Sequence, residues 1–222
     1  MKIKKIISLT AVTLFAALGF GLSTQANAAT KKTNDYAVTT RQVKSGKVTL
    51  PANTRVPVSH KSTKNHKTYA SIDLTPMSYG IRHETNATSI TIPYSHNLKT
   101  LKSNYPTPLI LGKGFKYDSN TWTKTPKLTF TANNYVEYFA KGNLKQKPTS
   151  STKITKTSQK GNVTYYYAKK NMLKLPDKRI SKKGNYQYRL TVQKNKVVPA
   201  DLSISYSIGN SKNYFYQPTL KA

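Results

Sequence analysis

Two segments near the carboxyl end of the chain alternate apolar and polar residues with a period of two. They are Tyr186–Gln193 and Leu202–Ile208. Successive side chains of a β-strand point to opposite faces, so this alternation predicts strands with one buried face and one solvated face. The residues expected to face the core are Tyr186, Tyr188, Leu190, Val192, Leu202, Ile204, Tyr206 and Ile208.

Shorter apolar runs recur along the chain, separated by clusters of Gly, Pro, Asn and Lys. They are Val48–Leu50, Val56–Val58, Ala70–Leu74, Ile90–Ile92, Leu128–Phe130 and Val136–Ala140. The pattern predicts an all-β fold, either an antiparallel β-sandwich or a small barrel, built as one unit or as two packed sub-domains. Because the chain has no cysteine, its stability is expected to come from the core and not from disulfides.

The first 28 residues have the three parts of a secretory signal peptide. The basic segment Lys2–Lys5 precedes the apolar run Ile6–Leu22, and the small residues Ala26–Ala28 provide a cleavage site. We therefore expect residues 1–28 to be removed and residues 29–222 to form the mature, extracellular protein. No later segment reaches the roughly 18 apolar residues of a membrane span, so no transmembrane anchor is expected.

The chain is strongly basic. It has 37 Lys and Arg against 7 Asp and Glu, a formal net charge of +30. The predicted leader holds three lysines and no acid, which leaves +27 on the mature protein. Such an excess attracts polyanions. For an exported protein these include the teichoic acids of a cell wall, anionic host glycans, and nucleic acid as a non-specific polyanion. The alternative is a compositional bias without a function.

The segment between Lys145 and Lys160 is rich in Ser, Thr, Gln and Lys, with five lysines and no acid. This composition predicts a linker or an exposed basic loop, and it marks residues 145–160 as a sub-domain boundary. Lys-Gly-Asn occurs three times in the chain, the second time at Lys160–Asn162. A Gly-Asn pair suits the positive φ values of a tight hairpin turn.

Aromatic and basic residues occur together at two places, around Tyr165–Tyr167 and around Tyr214–Tyr216. Consecutive rings on a strand must lie on both faces, so some of them are expected to face outward beside lysines, where they suit contacts with anionic glycans. The alternative is that tyrosine is simply a good strand residue. The candidate binding residues are Lys153, Lys156, Lys160, Tyr165, Tyr167, Lys169, Lys170, Tyr214 and Tyr216.

No arrangement of residues predicts a catalytic, metal or cofactor site. Ser150–Lys153 matches the S-x-x-K pattern of penicillin-binding enzymes, but it lies in the linker-like segment and not at the start of a helix. The histidines lack the spacing of a zinc site, and the seven acids are scattered along the chain. His83 and Glu84 are adjacent, so on a strand they would point to opposite faces.

The Lys-rich leader, the body rich in Lys, Tyr, Thr and Asn, and the segment Gly46–Thr54 resemble small cationic secreted and cell-surface proteins of lactic acid bacteria. The segment Lys47–Val58 is also similar to the strand-turn-strand of bacterial SH3-like cell-wall modules. The resemblance implies export by a Gram-positive cell and a place at its envelope.

These observations together predict a non-enzymatic secreted protein without a cofactor. We expect its dispersed lysines to bind an anionic polymer of the cell envelope, such as teichoic acid, or an anionic host glycan. The alternative is a cell-wall-active hydrolase or transpeptidase whose site the sequence does not reveal.

Overall fold

The computed structural model describes residues 35–101, 108–114, 124–198, 203–210 and 212–218 of the chain. These residues form antiparallel strands and one short helix, so the all-β prediction is confirmed. The expected signal peptide and Leu202 lie outside the described residues. No helix in the described part of the chain is long and apolar enough to cross a bilayer.

Residues 35–101 form the amino-terminal unit, a five-stranded sheet with a separate hairpin. Its elements are β1 (Asp35–Thr39), β2 (Val43–Ser45), β3 (Val48–Leu50), β4 (Arg55–Lys64), β5 (Lys67–Asp73), α1 (Tyr79–Arg82), β6 (Ser89–Pro93) and β7 (Leu98–Thr100). The strand order in the sheet is β6-β5-β4-β1-β7, and β2 pairs with β3 in the hairpin. The last strand of the unit therefore lies beside the first.

The amino-terminal unit has its own hydrophobic core. Its strands supply β-branched and aliphatic side chains at alternate positions, and burial of these side chains drives the sheet to fold over the hairpin. Its deeply buried members include Leu50, Val56, Ala70, Ile72, Leu74, Met77 and Ile92. Ala132, which comes from the second part of the chain, also belongs to this cluster.

The second part of the chain forms a closed barrel of eight antiparallel strands with one additional strand. Its strands are β8 (Leu109–Lys113), β9 (Lys127–Phe130), β10 (Tyr135–Phe139), β11 (Ser150–Lys160), β12 (Val163–Ala168), β13 (Lys178–Arg179), β14 (Tyr188–Val198), β15 (Ser203–Ile208) and β16 (Tyr214–Pro218). The order around the barrel is β8-β9-β10-β11-β12-β14-β15-β16, and β16 closes it by pairing with β8. The short strand β13 pairs with the first residues of β14.

Side chains fill the interior of this barrel, as the small diameter of eight strands requires. The cluster includes Leu111, Leu128, Phe130, Ile154, Tyr166, Leu190, Ile208 and Phe215. Tyr166 stacks on Phe130 with ring centroids 4.2 Å apart, and burial raises the pKa of its phenol. The wall of the barrel is therefore the part that can meet a large ligand.

A buried polar network joins the amino-terminal unit to the barrel. Asn133, in the turn after β9, accepts hydrogen bonds from the Ser78 backbone N–H (2.8 Å) and the Thr131 hydroxyl (2.9 Å), and its amide nitrogen donates to the Ser78 hydroxyl (2.8 Å). The Ala132 N–H donates to the Pro76 carbonyl (2.7 Å), and Arg55 Nε donates to the Ala132 carbonyl.

Glu137, on the outer wall of β10, is 1% exposed and lies at the same contact. Its carboxylate accepts hydrogen bonds from the Tyr79 N–H (2.9 Å) and the Ser151 hydroxyl (3.3 Å), and it lies 3.6 Å from Arg82 Nη2. Burial raises the pKa of Glu137 because the loss of solvation outweighs these bonds and the charge of Arg82. The contact is therefore specific in geometry but includes a costly buried charge.

The structure confirms most of the predicted core positions of the alternating segments. Leu190, Val192, Tyr206 and Ile208 are buried. Tyr188 and Ile204 pack partly buried against the same cluster. The prediction for Tyr186 is wrong: β14 begins two residues later, and Tyr186 is 47% exposed in the preceding loop. Alternation in a sequence does not show where a strand begins.

The prediction of a linker or an exposed basic loop at residues 145–160 is wrong for residues 150–160, whereas residues 145–149 lie between strands and are mostly exposed. Residues Ser150–Lys160 form β11, which pairs with β10 on one side and β12 on the other. Its inward residue Ile154 is buried, whereas its lysines point to solvent. The polar composition of this segment reflects a solvated barrel wall and not an absence of structure.

Candidate binding surface

The hairpin of β11 and β12 organises the aromatic and basic residues of the barrel wall. Lys160 pairs with Val163, so Gly161 and Asn162 form a two-residue turn. Gly161 adopts a φ of 57°, which glycine accepts without strain. Tyr166 points into the barrel, so its neighbours Tyr165 and Tyr167 must point outward.

Four residues form a row across the outer wall, which we call the basic-aromatic row: Lys156, Tyr167, Arg189 and Lys178. In the ladders Lys156 lies opposite Tyr167, Tyr167 opposite Arg189, and Arg189 opposite Lys178. Directly opposed residues share one face of a sheet, so the four side chains lie together on the wall of β11, β12, β14 and β13. Both lysines are exposed, while Tyr167 and Arg189 are half-buried.

The rings and cations of this surface are in contact. Lys156 Nζ lies 5.7 Å from the ring centroid of Tyr167 and 5.5 Å from that of Tyr186. The guanidinium of Arg189 lies 5.1 Å from the ring centroid of Tyr165. These distances fall within the range of cation–π attraction, so the contacts orient the cations along the wall.

Tyr186 joins the row from outside its strands. Its ring meets that of Tyr167 edge to face, with centroids 6.1 Å apart and an interplanar angle of 72°. A β-bulge in β11 between Ile154 and Lys156 frees Thr155. The hydroxyl of Thr155 lies 2.6 Å from the Asn185 carbonyl and 3.1 Å from the Tyr167 carbonyl. The bulge thereby places the loop that carries Tyr186 against the hairpin of β11 and β12.

No carboxylate neutralises the basic-aromatic row among the described residues. The described part of the chain contains two ion pairs, Lys61–Asp35 (3.8 Å) and Arg82–Glu137. Both lie in or beside the amino-terminal unit. Nε of Arg189 is buried and has no hydrogen-bond acceptor in the described part of the protein. A buried donor without an acceptor costs free energy.

The other predicted binding residues are dispersed. Lys153 lies opposite Tyr135 on the β10 side of β11. Lys160 is at the end of β11, and Lys169 and Lys170 follow the end of β12; these three lysines are exposed. Tyr214 and Tyr216 are on β16, which β14 and β15 separate from β12. Of the predicted set, the structure therefore brings together Lys156, Tyr165 and Tyr167.

The described acidic residues have separate structural partners. Asp73 accepts a hydrogen bond from the Thr75 N–H (2.9 Å), Glu84 from the Thr49 N–H (2.7 Å), and Asp177 from the Met172 N–H (3.0 Å). His83 follows α1 and is not on a strand, in contrast to the arrangement assumed from the sequence. No group of three potential metal ligands occurs among the described residues.

The sequence did not identify Lys178 and Arg189 of the basic-aromatic row, or Tyr186 beside it, as binding residues. Arg189 was visible as a polar position in the alternating segment Tyr186–Gln193, which already placed it on an outer face. Its neighbours across the sheet were not visible, because strand pairing and register depend on contacts far apart in sequence.

No protein-family model, curated protein or solved structure matches this chain.

Proposed function

We propose that this protein is a secreted, non-enzymatic component of a Gram-positive cell envelope that binds an anionic wall polymer of the teichoic acid type. The observation that carries the proposal is the basic-aromatic row, which presents Lys156, Arg189 and Lys178 on adjacent strands without a carboxylate counterion among the described residues. The formal net charge, +30 for the whole chain and +27 without the expected leader, favours association with any polyanion.

The geometry of the row suits a linear polymer. Neighbouring strands of a sheet lie about 4.8 Å apart, so three cations on four neighbouring strands span a distance that an extended chain of phosphates can follow. Contacts of this kind gain free energy by releasing condensed counterions, and their strength falls as the salt concentration rises.

The amino-terminal unit also supports a place at the cell wall. Its sheet has the order β6-β5-β4-β1-β7, and the hairpin β2–β3 lies between β1 and β4 in the chain. The segment Lys47–Val58, which resembles bacterial SH3-like wall modules, forms β3, the following turn and the start of β4.

The test is binding of the protein to purified cell walls over a salt series, with and without extraction of teichoic acid. We expect the logarithm of the binding constant to fall linearly with the logarithm of salt concentration. Replacing Lys156 and Lys178 by Gln should lower the slope by about 0.7 per lost contact, the value for flexible single-stranded polyanions. The matched control replaces Lys153 and Lys160 by Gln, which removes the same charge outside the row.

Equal binding to extracted walls, or equal slopes for the two double variants, would contradict the proposal. Tighter binding to sulfated host glycans than to teichoic acid would assign the surface to a host ligand instead. Release of wall fragments during incubation would support the alternative of a wall hydrolase.

A further inference from the structure

We propose that Tyr186 and Tyr167 form a stacking site for a sugar substituent of the bound polymer, with Lys156 and Arg189 binding the adjacent phosphate. This inference rests on the proposed function and adds to it a ligand chemistry: a polyol-phosphate chain that carries glycosyl groups. A surface that binds only through charge would bind any polyanion. The proposed site would instead bind a glycosylated polymer more tightly than an unglycosylated one.

The exposure of Tyr186 is the first observation. The side chain precedes β14, and nearly half of its surface lies in water at 47% exposure. A ring on a strand needs no explanation beyond strand propensity, but Tyr186 is in a loop. Exposed rings with one polar end are typical of binding surfaces, because they offer apolar contact area with few rotatable bonds.

The way in which this ring is held is the second observation. The Thr155 hydroxyl lies 2.6 Å from the Asn185 carbonyl, next to Tyr186, and the Tyr167 ring supports the Tyr186 ring edge to face. The loop is therefore ordered before a ligand arrives. A preformed site loses less conformational entropy when it binds.

The arrangement of charges beside the rings is the third observation. Lys156 Nζ lies within 5.7 Å of both ring centroids. Arg189 lies opposite Tyr167 in the ladder and is half-buried, so it places a second cation beside the rings. A glycosyl phosphate has the complementary form, an apolar ring face close to an anionic group that accepts hydrogen bonds from lysine and arginine.

The experiment compares the Tyr186→Ala protein with wild type on two probes: teichoic acid that carries its sugar substituents, and the same polymer after enzymatic removal of those sugars. We expect Tyr186→Ala to weaken binding to the glycosylated polymer about fivefold or more, in line with the loss of one aromatic stacking contact. Binding to the sugar-free polymer should stay within about twofold of wild type.

Two further variants make the result specific. Tyr214→Ala removes a tyrosine of similar exposure, 45%, from β16 outside the row, and it should bind both polymers as wild type does. Tyr186→Phe keeps the ring and should retain the preference for the glycosylated polymer. Far-ultraviolet circular dichroism of each variant confirms that the barrel is folded.

A Tyr186→Ala protein that loses no more affinity for the glycosylated polymer than Tyr214→Ala does would overturn this inference. The proposed function would survive that result if the Lys156 and Lys178 variant still lowered the salt slope. If every variant keeps both the preference for the glycosylated polymer and the wild-type salt slope, this inference and the proposed function are both overturned.

Discussion

Glu137 is a buried side chain at the contact between the two cores, and burial of its charged carboxylate costs free energy. Burial raises its pKa above the ordinary value of 4.5. The folded state therefore binds the proton more tightly than the unfolded state does. The contribution of Glu137 to stability is present below pH about 4.5 and is lost as the pH rises through the raised pKa.

We predict that the stability advantage of wild type over a Glu137→Gln protein decreases as the pH rises from 4.5. Each unit of pKa shift corresponds to about 1.4 kcal/mol. Urea unfolding of both proteins between pH 4 and pH 8 measures the difference. In an Arg82→Met protein the loss of stability with rising pH should extend to higher pH, because the positive charge of Arg82 lowers the pKa of Glu137 in wild type. A wild-type advantage that grows with pH would show that the ion pair outweighs burial.

At the scale of single elements, two glycines differ in what a larger residue at their position would cost. Gly161, in the β11–β12 turn, and Gly209, after β15, both have positive φ values, 57° and 74°. A Cβ at position 161 would meet no atom within 4 Å, whereas one at position 209 would lie 2.5 Å from the Pro176 backbone carbonyl oxygen. Position 161 requires only the conformational freedom of glycine. Position 209 also requires the absence of a Cβ, because Pro176 occupies that space.

We predict that Gly161→Ala lowers the free energy of unfolding by about 1 kcal/mol, the cost of a left-handed conformation for an L-residue. Gly209→Ala should cost about 3 kcal/mol or more, because the overlap with backbone at Pro176 adds strain to the same conformational cost. Chemical denaturation of the two variants measures both values. Equal losses would show that the loop carrying Pro176 can move away at little cost.

Sequence patterns predicted those strands whose inner faces are apolar and missed those whose composition is mostly polar. Val48–Leu50 matches β3, and Leu128–Phe130 lies within β9. In contrast, β11 has one buried residue, Ile154, so its pattern resembled a loop. The candidate surface was predicted only in part, because the pairing of Tyr167 with Lys156 and Arg189 is a property of register and is not encoded in any local window.

At the scale of the whole molecule, the contact between the two cores includes a buried polar network centred on Asn133. Asn133 satisfies both the N–H and the hydroxyl of Ser78 from the barrel side, and all of these groups are buried. Buried donors that lose their acceptors cost about 1–3 kcal/mol each. The contact should therefore make the amino-terminal unit and the barrel unfold together.

We predict that Asn133→Ala separates the two unfolding events. In wild type, hydrogen exchange measured by mass spectrometry should show residues 35–101 and the barrel strands opening with similar free energies. In the variant, the amino-terminal unit should exchange faster than the barrel, since its attachment to the β9–β10 turn loses the side-chain bonds of Asn133 while the barrel keeps its own closed ladder. Asn195→Ala is the control: Asn195 bonds the Ser207 hydroxyl (3.1 Å) within the barrel, so that variant should weaken the barrel without giving the amino-terminal unit separate exchange. Faster exchange of both parts by the same factor in Asn133→Ala would show that the coupling comes from Ala132 and the Arg82–Glu137 pair and not from the asparagine.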